Sequence, residues 1–297
     1  MTSALKKVKI PVSNIAPLIG FDHYGNFPKI LCELWRKYDR NAFNQLEKDM
    51  QTKNIDIATD SEARRIIRSD SKNKTNFMQQ IRSINTIANT SEHLQKKQKT
   101  VIENIKNNNS LDKEDQDNLI KQIINSTNKS HGINNEDAVL KKYEIQTGQT
   151  IKDGQQSIFY KFTEDKDIGI EWQLHGKYDG ITKCGRLIEA KKRQKGLFKS
   201  LRDYEKVQLQ TYLHMKGVEK GSLVESYSTK DECFIHIIDV DYDKKYVEEF
   251  IIGRLKGFAK FFNNFINNND WKQEILLGDK KREIYTMYQK IYINGLE

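Results

Sequence analysis

From residue 45 to residue 131 the chain contains no glycine, no proline and a single aromatic side chain, Phe77. The stretch is rich in Lys, Gln, Asn, Glu and Ile, which permits helix but supplies little material for a core. Met78, Ile81 and Ile84, then Ile102 and Ile105, recur at three-residue steps, as one-sided helices require. Asn107, Asn108, Asn109 and Ser110 predict a turn. The expectation is three or so amphipathic helices projecting from a core made elsewhere. A partly disordered linker is the competing expectation.

That core must come from the flanking zones. Residues 1–44 hold all three prolines, Pro11, Pro17 and Pro28, and residues 132–297 hold most aromatics and nearly all glycines. Asn134 or Asn135 caps a helix that Gly148 closes. Glu171–Ile181 and Arg186–Lys192 read as strands, with Thr182–Gly185 between them. A helix spans about 199–216 and ends at Gly217. Leu223–Tyr227 and Cys233–Val240 read as further strands. Residues 244–267 and 279–293 read as helices. This order predicts an α/β (α+β) chain in which a sheet is flanked by helices. The domains are then 1–44, the N-terminal part of the core; 45–131, a helical insertion; and 132–297, the rest of the core with C-terminal helices.

Charge narrows the partner. Lys and Arg outnumber Asp and Glu by 50 to 41, for a net charge of +9 and a pI near 9.1. A polyanion follows, nucleic acid being the commonest. Cys32, Cys184 and Cys233 are scattered and form no CxxC pair, which argues against a zinc ribbon and excludes a four-cysteine cluster from this chain alone. Their number and spacing fit an intracellular, reducing compartment. The N-terminus lacks an apolar signal segment, and no stretch approaches 18 apolar residues, so no membrane partner is expected.

The chemistry concentrates in GKYDGITKCGRLIEAKKR, residues 176–193. Lys183, Cys184 and Gly185 suit a three-residue hairpin loop with Gly185 left-handed. Asp179 and Glu189 then lie equally far from Cys184 and face one another across the pair, their Cβ atoms roughly 5 Å apart. Two such carboxylates repel unless a cation lies between them, and magnesium prefers hard oxygen ligands. Lys191 shares the strand face of Glu189, because side chains alternate. An ammonium there can orient a metal-bound water, help it lose a proton, or neutralise charge on a phosphate. A surface hairpin with an ordinary ion pair is the plain alternative.

Two further features adjoin this hairpin. In the following helix Gln208 and Tyr212 stand four apart on one face. Gln208 can bond the attacking water or a ligand carboxylate, and Tyr212 can pack below or touch DNA. Residues 186–202 carry Arg186, Lys191, Lys192, Arg193, Lys195, Lys199 and Arg202 against one acid, Glu189. Lys192, Arg193, Lys195, Lys199 and Arg202 are therefore expected to hold phosphates near the metal.

Asp179, Glu189-Ala190-Lys191 and the Gln208–Tyr212 helix together resemble the PD-(D/E)XK nuclease superfamily. Residues 13–20 (SNIAPLIG), Tyr24 and a Trp35-containing helix resemble the opening of phage lambda-type exonucleases and related viral recombination (alkaline) nucleases. Residues 132–148 (GINNEDAVLKKYEIQTG) resemble a helix of that group. Tyr178 stands where the superfamily has its proline, and residues 45–131 exceed the short phage enzymes. The resemblance implies a restriction-endonuclease-like core with a central mixed β-sheet. It implies magnesium, with manganese as a substitute, held by Glu136, Asp179 and Glu189, with Lys191 supporting the nucleophile. It also implies that Ser13 receives a 5′-phosphate; a helix cap is the alternative for Ser13. The expected activity is a DNA exonuclease working 5′ to 3′ in recombination, replication or repair. A recombinase or single-strand annealing protein would be its partner. If the source is viral, the host cytoplasm or nucleus is its place. A structure-specific or single-strand endonuclease, and a non-catalytic DNA-binding module on the same fold, are the competing functions.

Overall fold

The computed structural model describes residues 5–22, 26–52, 84, 91–107, 111–229, 232–277 and 281–293. Met78, Ile81, Tyr24 and the tip of the asparagine turn lie outside them.

The chain opens with β1 (Lys6–Pro11), a 3-10 turn (Val12–Asn14) and α1 (Ile15–Leu18). Then come α2 (Phe27–Tyr38), capped by the Asn26 side chain accepting from the Lys29 amide, and α3 (Arg40–Thr52). Next are α4 (Ser91–Lys106), α5 (Lys113–Asn134) and α6 (Glu136–Thr147), which ends at left-handed Gly148. Four strands lead to the hairpin and its far side: β2 (Ile151–Gly154), β3 (Ser157–Asp165), β4 (Ile170–Lys177) and β5 (Gly180–Thr182), followed by β6 (Leu187–Arg193). Helix α7 (Asp203–Lys216) precedes β7 (Lys220–Ser228) and β8 (Cys233–Asp241). A π-helical turn (Tyr246–Ile251) leads into α8 (Ile252–Ile266), followed by α9 (Asn269–Leu277), α10 (Lys281–Tyr288) and a second π turn (Gln289–Ile293).

The expected α/β class is what the structure has, but the sheet comes as two mixed sheets. One runs β1-β4-β3, with β1 parallel to β4; the other runs β2-β5-β6-β7-β8, with β6 parallel to β7 across the α7 crossover. The single strand read over Glu171–Ile181 is therefore two strands, β4 in the first sheet and β5 in the second. The break falls where distant elements converge. A Cβ on Gly176 would stand 2.5 Å from the Tyr212 ring and 2.8 Å from Val12, so α7 and the N-terminal turn close tightly on the end of β4. The chain leaves the first sheet at Lys177 and enters the second at Gly180. Strands β1, β2 and β3 have no counterpart among the strands read from the sequence, and neither does α9.

The main core lies under the inner face of the first sheet. Trp172 of β4 meets Phe258 and Phe262 of α8, Leu174 joins the same cluster, and Phe27 and Trp35 of α2 pack on that helix. Phe43 and Met50 of α3 join this core, so that helix runs unbroken past residue 45. A second apolar cluster sets α6 (Val139, Leu140, Tyr143) on Ile188, Ala190 and Val224 of the larger sheet. A third is private to the long middle segment: Ile84, Leu94, Val101, Ile105, Leu119 and Ile123. Gln98 of α4 adds a cross-helix bond to Thr127 Oγ1 at 2.8 Å. The apolar stripe of α4 is Leu94, Val101 and Ile105, whereas Ile102 is half-exposed.

Candidate active site

The hairpin loop adopts the expected geometry. The Thr182 amide donates to the Arg186 carbonyl at 2.9 Å, and Gly185 has φ +85°. Gly180 pairs with Ile188 and Ile181 with Leu187, so the register leads on to Asp179 opposite Glu189. Asp179 itself sits in the bend between the two sheets, and its Oδ2 accepts from the Ala190 amide at 2.7 Å. The two acids are 7% and 3% exposed.

Alternation puts Glu189 and Lys191 on the face of β6 that looks at α7, as expected. The Lys191 ammonium donates to Glu189 Oε1 at 2.7 Å and to Gln208 Oε1 at 3.2 Å. The Gln208 amide donates to the same Glu189 oxygen at 2.8 Å. Glu189, Lys191 and Gln208 thus form a closed triangle that fixes all three. The second Glu189 oxygen, Oε2, is buried and has no hydrogen-bond partner. A buried carboxylate oxygen without a donor is costly unless something cationic meets it.

The electrostatics favour the same conclusion. Burial, then Glu189 and Glu136, push the Asp179 carboxyl up to about 8, against the pull of Lys191 and the Ala190 amide. Burial, with Glu189 and Asp137 adding to it, pushes Glu136 up to about 7, while Lys191 and Lys177 oppose it. Glu136 is the first residue of α6, and its charge is felt at Asp179. For Lys191, burial works against the charge, but the Glu189 carboxylate outweighs it and holds the ammonium protonated above the usual lysine range.

These acids offer hard oxygen donors that repel one another, the donor chemistry a divalent cation suits. Glu189 Oε2 is buried with no hydrogen-bond partner to displace. Among the described residues, however, no three His, Cys, Asp or Glu side chains stand in a ready-made metal-binding group. A metal would therefore draw Glu136, Asp179 and Glu189 closer than they stand.

The remaining expected site residues separate. Tyr212 is not on a DNA-facing surface: it is buried beneath the site, packs on Gly176 and donates to the Lys177 carbonyl at 3.1 Å. Arg193 is likewise not a free phosphate contact. It is buried, with Nη1 2.7 Å from Glu205 and Nη2 2.5 Å from Glu225, and those two acids consume its charge. Lys192 points to the opposite face of β6 from Lys191, towards Ser226 at 3.4 Å and Ser228, and burial pulls its ammonium down. Lys195, Lys199 and Arg202 are exposed on the loop between β6 and α7, with Arg202 stacked 4.5 Å over the Phe198 ring. Ser13 is exposed in the 3-10 turn, and the residue before α1 is Asn14, so Ser13 is not that helix's cap.

Lys177 was absent from the expected set, although its position two residues before Asp179 was a usable signal. Its field reaches Glu136, and its ammonium bonds Gln155 Oε1 at 2.7 Å. Glu205 and Glu225 were also missed, because nothing local to residues 186–202 announces them.

No protein-family model matches this chain, and no curated protein does. Among solved structures, SSO0001 overlaps it at 22% identity and a TM-score of 0.32, covering 50% of this chain and 65% of that one. LHK-Exo, an alkaline exonuclease from Laribacter hongkongensis, overlaps at 15% identity and a TM-score of 0.31, covering 55% and 73%. LHK-Exo in complex with dAMP overlaps at 13% identity and a TM-score of 0.32, covering 71% and 90%. The chain thus spans 65% of the length of SSO0001. At this level of similarity the likeness carries no inference about chemistry.

Proposed function

We propose that this chain is a metal-dependent deoxyribonuclease that hydrolyses phosphodiester bonds from DNA ends, in the 5′ to 3′ direction. The observation that carries the reading is the Glu189 carboxylate. One of its oxygens is shared by Lys191 and Gln208, and the other is buried without a partner beside Asp179. A plain surface ion pair would leave neither a buried orphan oxygen nor two acids with raised pKa values.

Glu136, Asp179 and Glu189 are the residues that would hold magnesium, or manganese in its place. Bound there, the ion would lower the pKa of a water and offset charge on the phosphate. Lys191, kept charged by Glu189, acts as a hydrogen-bond donor to the water or to a phosphate oxygen and not as a base. Gln208 holds the Lys191 ammonium and the Glu189 carboxylate in one arrangement. The Ala190 amide orients Asp179 by bonding one of its oxygens. The exposed Lys195, Lys199 and Arg202 meet phosphates flanking the reacting one.

Linear duplex DNA with 5′-phosphate or 5′-hydroxyl ends, incubated with the purified chain and magnesium, tests this directly. Progressive loss of duplex is expected, with closed circles resistant. Asp179→Asn, Glu189→Gln and Lys191→Ala should each slow cleavage by about 100-fold or more, with the fold retained by circular dichroism. Wild-type rates from all three would end the reading. Cleavage of circular single strands would move it to an endonuclease, and metal-independent binding without cleavage would move it to a non-catalytic module.

A further inference from the structure

The outer face of the three-stranded sheet is open to solvent and differs from an ordinary polar face in one place. Phe159, the third of nine residues on edge strand β3, is 52% exposed. In the ladder it pairs with His175, which pairs in turn with Pro11. The His175 ring lies 5.6 Å from the Phe159 ring, and the Lys9 ammonium lies 4.4 Å over it.

The patch continues into the candidate site. His175, Lys177 and Asp179 follow one another along the chain that leaves β4, and the four steps from His175 to Asp179 span at most roughly 13 Å. Lys177 pairs with Ser157 in the ladder, and its field reaches Glu136. At the far end of the same face, Glu171 is flanked by Lys7 at 4.0 Å and Lys161 at 3.5 Å, so its charge is offset. Among the described residues, Lys9 and Lys177 of this face stand in no such ion pair, and the Lys177 ammonium bonds Gln155 Oε1 instead.

We infer that this face is a binding track for single-stranded DNA, with Phe159 the platform on which a base stacks two or three nucleotides from the reacting phosphate. The inference rests on the nuclease reading for where the strand leads, but the track itself rests on the sheet face alone. An aromatic platform beside lysines is the arrangement that binds single strands with little regard to sequence, since every base has a π-face. Duplex DNA hides its base faces and gains nothing from Phe159. The Lys9 contact does not compete: an exposed cation–π contact is weaker than base stacking, and the freed ammonium is left beside the strand's phosphates.

The test measures binding apart from chemistry. Fluorescence anisotropy of a labelled oligothymidylate is followed with the full chain in the presence of a chelator. Phe159→Ala should weaken binding by roughly tenfold or more, and Phe159→Tyr should restore it. Phe159→Trp should show tryptophan quenching as the oligonucleotide is added. Affinity for a blunt duplex should not change in any of the three. Unchanged oligothymidylate affinity in Phe159→Ala, or equal losses on single strand and duplex, would overturn the track. A small diester, bis(4-nitrophenyl) phosphate, with magnesium reports the chemistry alone, since it is too short to reach Phe159. Hydrolysis of the diester with no effect of Phe159→Ala on oligonucleotide binding defeats the track and spares the nuclease. No hydrolysis of diester or DNA by the wild type defeats the nuclease, and the anisotropy result still decides the track.

Discussion

Because Asp179 is buried between Glu189 and Glu136, its carboxyl holds its proton up to about 8, where an ordinary aspartate releases it near 3.8. The folded chain therefore binds this proton more tightly than the unfolded chain. Below about pH 4 both states are protonated and the group adds no slope. Between the two values the unfolded state ionises and the folded state does not, so stability falls as pH rises, by at most about 1.4 kcal/mol per pH unit for this one group. The contribution is present at low pH and is lost as pH rises through about 8. Asp179→Asn removes the titration and keeps an oxygen for the Ala190 amide. With chelator present, its melting temperature should therefore fall less than that of the wild type as pH rises from about 5 to 8, and should exceed it at the upper end. Magnesium should reverse the order by raising the wild-type melting temperature at about pH 8 far more than at pH 6, since the ion competes with the proton. Parallel profiles for the two proteins would show that Asp179 ionises normally.

Elements meet at Gly176, and the consequence can be measured. A methyl group there would lie 2.5 Å from Tyr212 Cε1, 2.8 Å from Val12 Cγ2 and 2.9 Å from the Tyr212 hydroxyl, with little room for α7 to retreat. Gly176→Ala should cost about 1–3 kcal/mol by denaturant unfolding and should lower activity as α7 carries Gln208 outward. An unchanged midpoint would mean that the end of β4 is not gripped as described. This junction also marks where the sequence stops being legible. The hairpin could be read because Gly185 and the equal spacing about Cys184 fix a register by themselves, and Glu189, Lys191 and Gln208 follow by alternation and helical spacing. The break between β4 and β5 could not, since it depends on Tyr212 and Val12 arriving from distant parts of the chain. Strand β1 was legible in principle: Lys7, Val8, Lys9 and Ile10 alternate outward and inward. Pro11 at its end and the helical turn that follows cut the pattern short. The charge run of 186–202 misled at Arg193 for a different reason. Counting acids within a segment cannot reveal Glu205 and Glu225, which come from α7 and β7 to neutralise it.

The whole molecule carries a net charge of +9, but that charge is not evenly available to a partner. Arg186 is tied to Asp239 at 2.8 Å, Arg193 to two buried acids, and Lys191 to Glu189. Lys9 and Lys177 on the open sheet face and Lys195, Lys199 and Arg202 on the loop before α7 are all exposed. If a single strand crosses both surfaces, five phosphates are met, and each contact contributes about 0.7 to the slope of log affinity against log salt. The expected slope for an oligonucleotide is then about −3.5. Lys195→Gln with Lys199→Gln should make it shallower by about 1.4. Lys96→Gln with Lys99→Gln changes the net charge by the same amount on the exposed face of α4, far along the chain from the site. A protein that binds through its overall charge would respond equally to both pairs. One that binds through the surface around Glu189 would respond only to the first, and salt titrations of the two double variants against the wild type separate these cases. Equal flattening by both pairs would mean that the basic surface near Glu189 has no special hold on nucleic acid.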